Sequence, residues 1–240
     1  MIAGFIISGN TNKDVVVRGL GPSLANFGLT DLLQDPVVEL RSSNSSLFTN
    51  DNWKDTQRTA IEATNFKPSD DRESVILMSN LVPGNYTAIL TGKGNTTGLG
   101  LVEVYDNNPG AESQLGNIST RGLVQGGNSV MIGGFILGNG GTNSRIVIRG
   151  LGPSLSQFVS NTLPDPTLEL RNANGDLMIA NDNWTDDPVS AAQLTANGFA
   201  PHDPKESGIF TSLPAGQFTA ILAGKNGGIG LGLVEIYNLK

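Results

Sequence analysis

Arg18-Gly19-Leu20-Gly21-Pro22-Ser23-Leu24 is written a second time, unchanged, as Arg149-Gly150-Leu151-Gly152-Pro153-Ser154-Leu155. A heptapeptide repeated in full within 240 residues marks an internal duplication, and such a repeat decides the architecture before any single motif does. Outward from that anchor the two halves align nearly end to end. Asn50-Asp51-Asn52-Trp53 returns as Asn181–Trp184, Thr87–Leu90 as Thr219–Leu222, and Gly98–Glu103 as Gly230–Glu235. The halves drift against each other by single residues, at loops. The expected organisation is a first β-sandwich repeat over 1–106, a linker over 107–114 and a second repeat over 115–240, with an extra or exchanged strand at 115–124.

Each unit, at about 110–130 residues, is long enough to bury a core of its own. Val, Ile, Thr and Asn abound, charged residues are 15% and glycines number 31, a mixture that suits short strands joined by tight turns. Val38 and Leu40 alternate with Glu39 and Arg41, so one face of that strand meets a core and the other water. Ile2–Ser8 and Asp14–Arg18 read as a hairpin about Gly9–Asn12, matched by 132–137 and 145–149 about Asn139-Gly140-Gly141. Asn174-Gly175 is a second hairpin signal. Ser74–Met78, Tyr86–Thr91 and Leu99–Tyr105 close the unit as three strands. Ser23 is placed to cap a short turn running to Phe27. Thr56–Ala63 and Val189–Ala196 have helical composition, with Gly198 as the stop. The fold class is all-β: two tandem antiparallel β-sandwiches, jelly-roll-like, of seven or eight strands with one or two short helices each.

Fifteen basic and twenty-two acidic residues leave a net charge of −7, which repels phosphate backbones and argues against a nucleic-acid partner. No apolar run approaches the roughly 18 residues a membrane helix needs, so no membrane insertion is expected. Residues 1–10 do not have the basic start of a signal peptide. With no cysteine, thiol chemistry, thiolate metal sites and disulfides are excluded. Five Asn-x-Ser/Thr sequons (Asn44, Asn85, Asn95, Asn117, Asn183) read as by-products of an Asn- and Thr-rich composition.

The segment Leu115-Gly-Asn-Ile-Ser-Thr-Arg-Gly-Leu-Val124 has strand character and precedes the second repeat, with no counterpart ahead of the first. If it belongs to the second repeat, the first has an open sheet edge, a template for another chain.

Together with Gly-Phe-Ile, Asp-Pro-x-x-Glu-Leu, Asn-Asp-Asn-Trp, Glu-Ser and Pro-Gly-x-Tyr-Thr-Ala-Ile-Leu, these motifs resemble a tandem repeat of large secreted or surface proteins of environmental bacteria. The resemblance covers essentially the whole chain. Leu170–Asp182 is more loosely similar to the β-sandwich modules appended to secreted bacterial peptidases, the pre-peptidase C-terminal type. The resemblance implies an exported, non-catalytic β module strung in arrays, and it carries over no catalytic residues.

Each candidate chemistry competes with a structural role. The Arg-Gly-Leu-Gly-Pro-Ser stretch lacks the Gly-Lys-Ser/Thr ending of a phosphate loop, and Pro removes a donor where amides should converge, so a structural turn is expected. His202 corresponds to Ser69 and lies in a polar loop, ill placed as a general base. Arg18 is expected to pair with Glu103 and Arg149 with Glu235, because either charge alone on a half-buried sheet costs several kcal/mol. A glycosidase reading of those acids would need a second carboxylate about 5–10 Å away. Asn50, Asp51, Asp70, Asp71, Asn181, Asp182 and Asp203 offer hard oxygen ligands for Ca²⁺, without EF-hand spacing. Trp53 and Trp184 are either sugar-stacking platforms or core anchors. The expected protein is a non-catalytic, extracellular or cell-surface building block of a fibre, stalk or head-to-tail filament. Its partners would be further copies or neighbouring repeats joined through the open edge. The alternative is a glycan-binding or Ca²⁺-dependent adhesion module.

Overall fold

The computed structural model describes residues 1–43, 45–127, 129–138 and 143–239. The Asn139–Gly141 turn and the Asn44 sequon lie outside them. The chain divides into two compact units, Met1–Gly116 and Asn117–Lys240, each an antiparallel β-sandwich. The boundary falls inside a strand, and residues 107–114, read as a linker, fold against the first unit. Asn107 N–H donates to the Asp14 carbonyl at 2.9 Å, and Lys13 Nζ reaches Asp106 at 2.8 Å and the Asn108 carbonyl at 3.0 Å.

The first unit has seven strands among the described residues: β1 (Ile2–Ser8), β2 (Lys13–Leu20), β3 (Pro36–Ser42), β4 (Ser45–Asn50), β5 (Ser74–Leu81), β6 (Gly84–Gly92) and β7 (Leu101–Asp106). One sheet runs β1-β6-β3-β4 and the other β5-β2-β7. Then β8 (Gln114–Val124) carries the boundary. The second unit continues with β9 (Met131–Leu137), β10 (Ser144–Leu151), β11 (Pro166–Asn172), β12 (Leu177–Asn181), β13 (Ser207–Leu213), β14 (Gly216–Gly224) and β15 (Gly230–Asn238). Its sheets run β9-β14-β11-β12 and β13-β10-β15-β8.

The alternation in β3 sets its sides: Val38 and Leu40 are fully buried, while Glu39 and Arg41 pair on the outer face at 3.1 Å. Inward-facing residues of both sheets make one core per unit. In the first unit these include Phe5, Ile7, Val15, Val17, Ile76 and Leu90; in the second, Ile146, Ile148, Leu168, Ile209 and Leu222. Each such side chain contributes about 1.5–3 kcal/mol by leaving water. The unbroken Val15-Val16-Val17 run has its own cause. Val15 and Val17 enter the core, and Val16 points outward beneath α1 (Arg58–Glu62), where it packs with Trp53, Ile61 and Val75. A strand covered on both faces needs no polar alternation. In the second unit α2 (Pro188–Ala196) starts at an Asp187 cap, whose carboxylate accepts from the Val189 and Ser190 amides.

Two local expectations are corrected. β1 and β2 do not form a hairpin: β1 pairs with β6 and β2 with β5 and β7, so the Gly9 turn crosses from one sheet to the other. Likewise β9 pairs with β14 and β10 with β13 and β15. The apolar runs pack face to face across the sandwich, a contact that adjacency in sequence does not distinguish from edge pairing. Ser23 does not cap the 3-10 turn at Pro22–Phe27; its hydroxyl is taken by a distant carboxylate.

Candidate functional site

That carboxylate is Glu73, wholly buried. Its Oε1 accepts from Gly21 N at 3.0 Å, Ser23 N at 2.9 Å and Ser23 Oγ at 2.6 Å. Glu206 repeats the arrangement with Gly152 N and Ser154 N at 2.9 Å and Ser154 Oγ at 2.6 Å. The amides of the Gly-Pro-Ser turn therefore do converge on an anion, and that anion is the protein's own side chain. Pro22 and Pro153 cost nothing here, since the donors are the residues on either side. Gly21 is required on space alone: a Cβ would lie 1.9 Å from the Leu33 carbonyl oxygen. Beside Glu206, Ser207 Oγ lies 2.6 Å from the Pro166 carbonyl and 2.7 Å from that of Asp182, tying two loops together. Sequence reasoning did not assign the glutamate; the recurring Glu-Ser dipeptide was the available signal.

Arg18 and Glu103 face each other across the β2–β7 register, with Nε to Oε2 at 2.7 Å, and Tyr105 Oη donates to Glu103 Oε1 at 2.8 Å. Arg149 Nε lies 2.9 Å from Glu235 Oε2, and Tyr237 Oη donates to Glu235 Oε1 at 3.0 Å. Both oxygens of each glutamate are engaged within the unit. Burial, helped by the adjacent glutamate, pushes the Tyr105 and Tyr237 phenols up to about 12.

The proposed Ca²⁺ ligands do not converge. Asn50 Oδ1 accepts from Val75 N at 2.9 Å and Asn181 Oδ1 from Gly208 N at 2.8 Å, so both serve the backbone. Asp51 pairs with Lys93 and Asp182 with Lys225, each at 2.5 Å. Asp70 is held by Arg72, which keeps its carboxyl below the ordinary range, and Asp71 lies 2.6 Å from Lys54. Asp203 accepts from Lys205 N at 2.9 Å. Among the described residues no group of three or more acidic or histidine side chains is arranged to hold a metal ion, and Asp51 and Asp182 are each paired with a lysine ammonium.

The sugar-platform reading is corrected for Trp53, which is 1% exposed and packed with Ile61 and Val75; a ring closed on both faces cannot stack on a sugar. Trp184 is half-buried, and His202 is exposed.

One difference between the two units is the sheet edge beside their last strands. In the second unit β8 lies against β15 from Val124↔Gly230 to Asn117↔Tyr237, and Asn117 Nδ2 donates to the Ile236 carbonyl at 2.9 Å. In the first, β7 has β2 as its one strand neighbour among the described residues. The consequences run along the strand. Val234 and Ile236 are 1% and 5% exposed, whereas their counterparts Val102 and Val104 are half-buried. Gly230 is buried and Gly98 exposed, and β7 begins at Leu101, three residues later than β15 by alignment. Beside this edge, Met1, Leu33, Leu90, Thr96, Gly98 and Gly100 line a cleft of about 360 Å³.

No family model matches the chain, and no curated protein matches it. Among solved structures it is similar to the STIV MCP, at 14% identity over 99% of this chain and 91% of that one, with a TM-score of 0.27. It is also similar to a chain from the atomic structure of Sulfolobus Turreted Icosahedral Virus, at 13% identity over 99% and 85%, again with a TM-score of 0.27. Overlap at that level carries no argument about function. The chain's own geometry defines its class: a tandem antiparallel β-sandwich protein whose recurring charged groups are engaged within each unit.

Proposed function

We propose that the chain is a non-catalytic structural protein, a building block of a fibre, stalk or head-to-tail filament outside the cell, in which sandwiches join by sharing strands. The observation that carries this reading is the difference between otherwise matching sheets, four strands in β13-β10-β15-β8 and three in β5-β2-β7. An unpaired row of backbone donors and acceptors is what proteins normally cover, and a sheet edge that another chain completes gives affinity through main-chain bonds. A contact between two different surfaces does not close on itself, so it extends into an open assembly. Glu103 and Glu235, both oxygens engaged within their own units, and the clamping of the heptapeptide turns by Glu73 and Glu206 support a scaffolding role. Among the described residues no helix is long and apolar enough to cross a membrane. Immuno-electron microscopy of producing cells tests the proposal: label on extended structures outside the envelope is expected, and label confined to the cytoplasm overturns it.

A further inference from the structure

The second unit shows what the first unit's edge is shaped to receive. Val124 is wholly buried there, and it sits against Gly232: a Cβ built on that glycine would come 2.8 Å from Leu222, 3.3 Å from Val124 and 3.4 Å from Leu163. Met131 closes the same pocket from β9, 6% exposed. By alignment the four counterparts in the first unit are Gly100, Leu90, Leu33 and Met1. A Cβ on Gly100 would lie 2.8 Å from Leu90 and 3.3 Å from Leu33, so the same walls stand in the same places. Here the fifth member is missing. The space is the 360 Å³ cleft, and Met1 is 43% exposed.

We infer that the β7 edge and this cleft together form a docking site for an extended segment of the Asn117–Val124 sequence type, contributed by the connecting strand of a further repeat of the same kind. The inference deepens the proposed structural role and rests on it. The register of β8 on β15 transfers directly. Val124 of the incoming strand lies opposite Gly98 with its side chain in the Met1–Leu33–Leu90 cleft, Thr120 opposite Val102, Ile118 opposite Val104, and Asn117 opposite Tyr105, its amide reaching the Val104 carbonyl as Asn117 reaches that of Ile236. Two features would read the sequence of the strand. The leucine walls of the cleft, Leu33 and Leu90, favour an apolar side chain at the Val124 position, and the carbonyl of Val104 selects an amide donor. Any extended chain could satisfy the edge's backbone, so the cleft is where specificity resides.

The test is a fluorescein-labelled peptide spanning Gln114–Gln125, titrated into the full chain and followed by anisotropy, with hydrogen exchange mapped over residues 98–106. The expected result is saturable binding, slowed exchange across β7, and at least about tenfold weaker binding of the same peptide carrying Val124→Asp, because a charge would enter an apolar pocket. Equal binding of the two peptides, protection that falls elsewhere, or no binding at millimolar peptide overturns the inference. So does β7 protection that grows with protein concentration before peptide is added, which would make a second copy the occupant. Each of these failures leaves the extracellular structural reading to be judged by the microscopy.

Discussion

Replacing Glu73 by alanine removes one buried carboxylate oxygen that three donors share, two of them backbone amides inside the Gly-Pro-Ser turn. Hydrogen bonds to a charged group contribute about 1.5–3 kcal/mol each, but they are not additive here, because the loosened turn can admit water. Stranding buried donors and leaving a cavity places the cost at about 3–5 kcal/mol. For a unit of this size that lowers the melting temperature by about 10–20 °C. Trp53 makes the measurement local, since its amide donates to the Glu73 carbonyl at 2.8 Å and its ring is packed in the same unit. Urea unfolding followed by tryptophan fluorescence, in a Trp184→Phe background, therefore reports the first unit alone. Ser23→Ala, which deletes one donor of the three, should cost about 1 kcal/mol and serves as the graded control. Should Glu73→Ala cost no more than Ser23→Ala, the clamp is not what fixes the repeated heptapeptide. The same pair of substitutions at Glu206 and Ser154, read by Trp184, should give the same ratio.

Arg149→Met or Glu235→Gln alone should destabilise the second unit by about 3 kcal/mol, and the double substitution by clearly less than the sum, because a lone half-buried charge costs more than an absent pair; thermal melts of the four-protein cycle check it. Stability should hold up to pH 10 and fall steeply between 10 and 12. The buried phenols of Tyr105 and Tyr237 titrate near 12 in the fold but near 10 when unfolded, so their contribution is complete below 10 and lost as pH rises through the folded value. Melts of Tyr105→Phe/Tyr237→Phe should show a shallower alkaline decline. Met131→Ala should cost about 2–4 kcal/mol, since its side chain is buried beneath β8, while Met1→Ala should cost under about 1 kcal/mol; equal effects would mean that the two edges are equally covered.

Much of the local architecture was legible because it rests on short-range patterns. Alternation in Val37–Arg41 gave β3 and its buried face, and the Asn174-Gly175 signal gave the β11–β12 turn. Arg18 and Glu103, charged positions in apolar runs, were candidates for each other before either strand was placed. Burial of the tryptophans was a different matter. Asn-Asp-Asn-Trp contains nothing to say that α1 folds over Trp53. The partners of the candidate Ca²⁺ ligands were hidden for a related reason: Lys93 and Lys225, far along the chain from Asp51 and Asp182, pair with them, and no local spacing encodes that approach.

By itself the sequence determined that one sandwich was copied, that its strands are short and antiparallel, and that no thiol chemistry is present. It also located the strand-like segment that has one copy for two repeats. Only the tertiary structure decided that β1 and β2 enter opposite sheets, that Glu73 and Glu206 occupy the glycine turns, and that Gln114–Val124 completes β15 while β7 stands with an uncovered flank. The division follows from range. Turns and alternation are settled by backbone sterics and water within a few residues, whereas a buried carboxylate or a sheet edge acquires its partner from residues that meet only when the chain is packed.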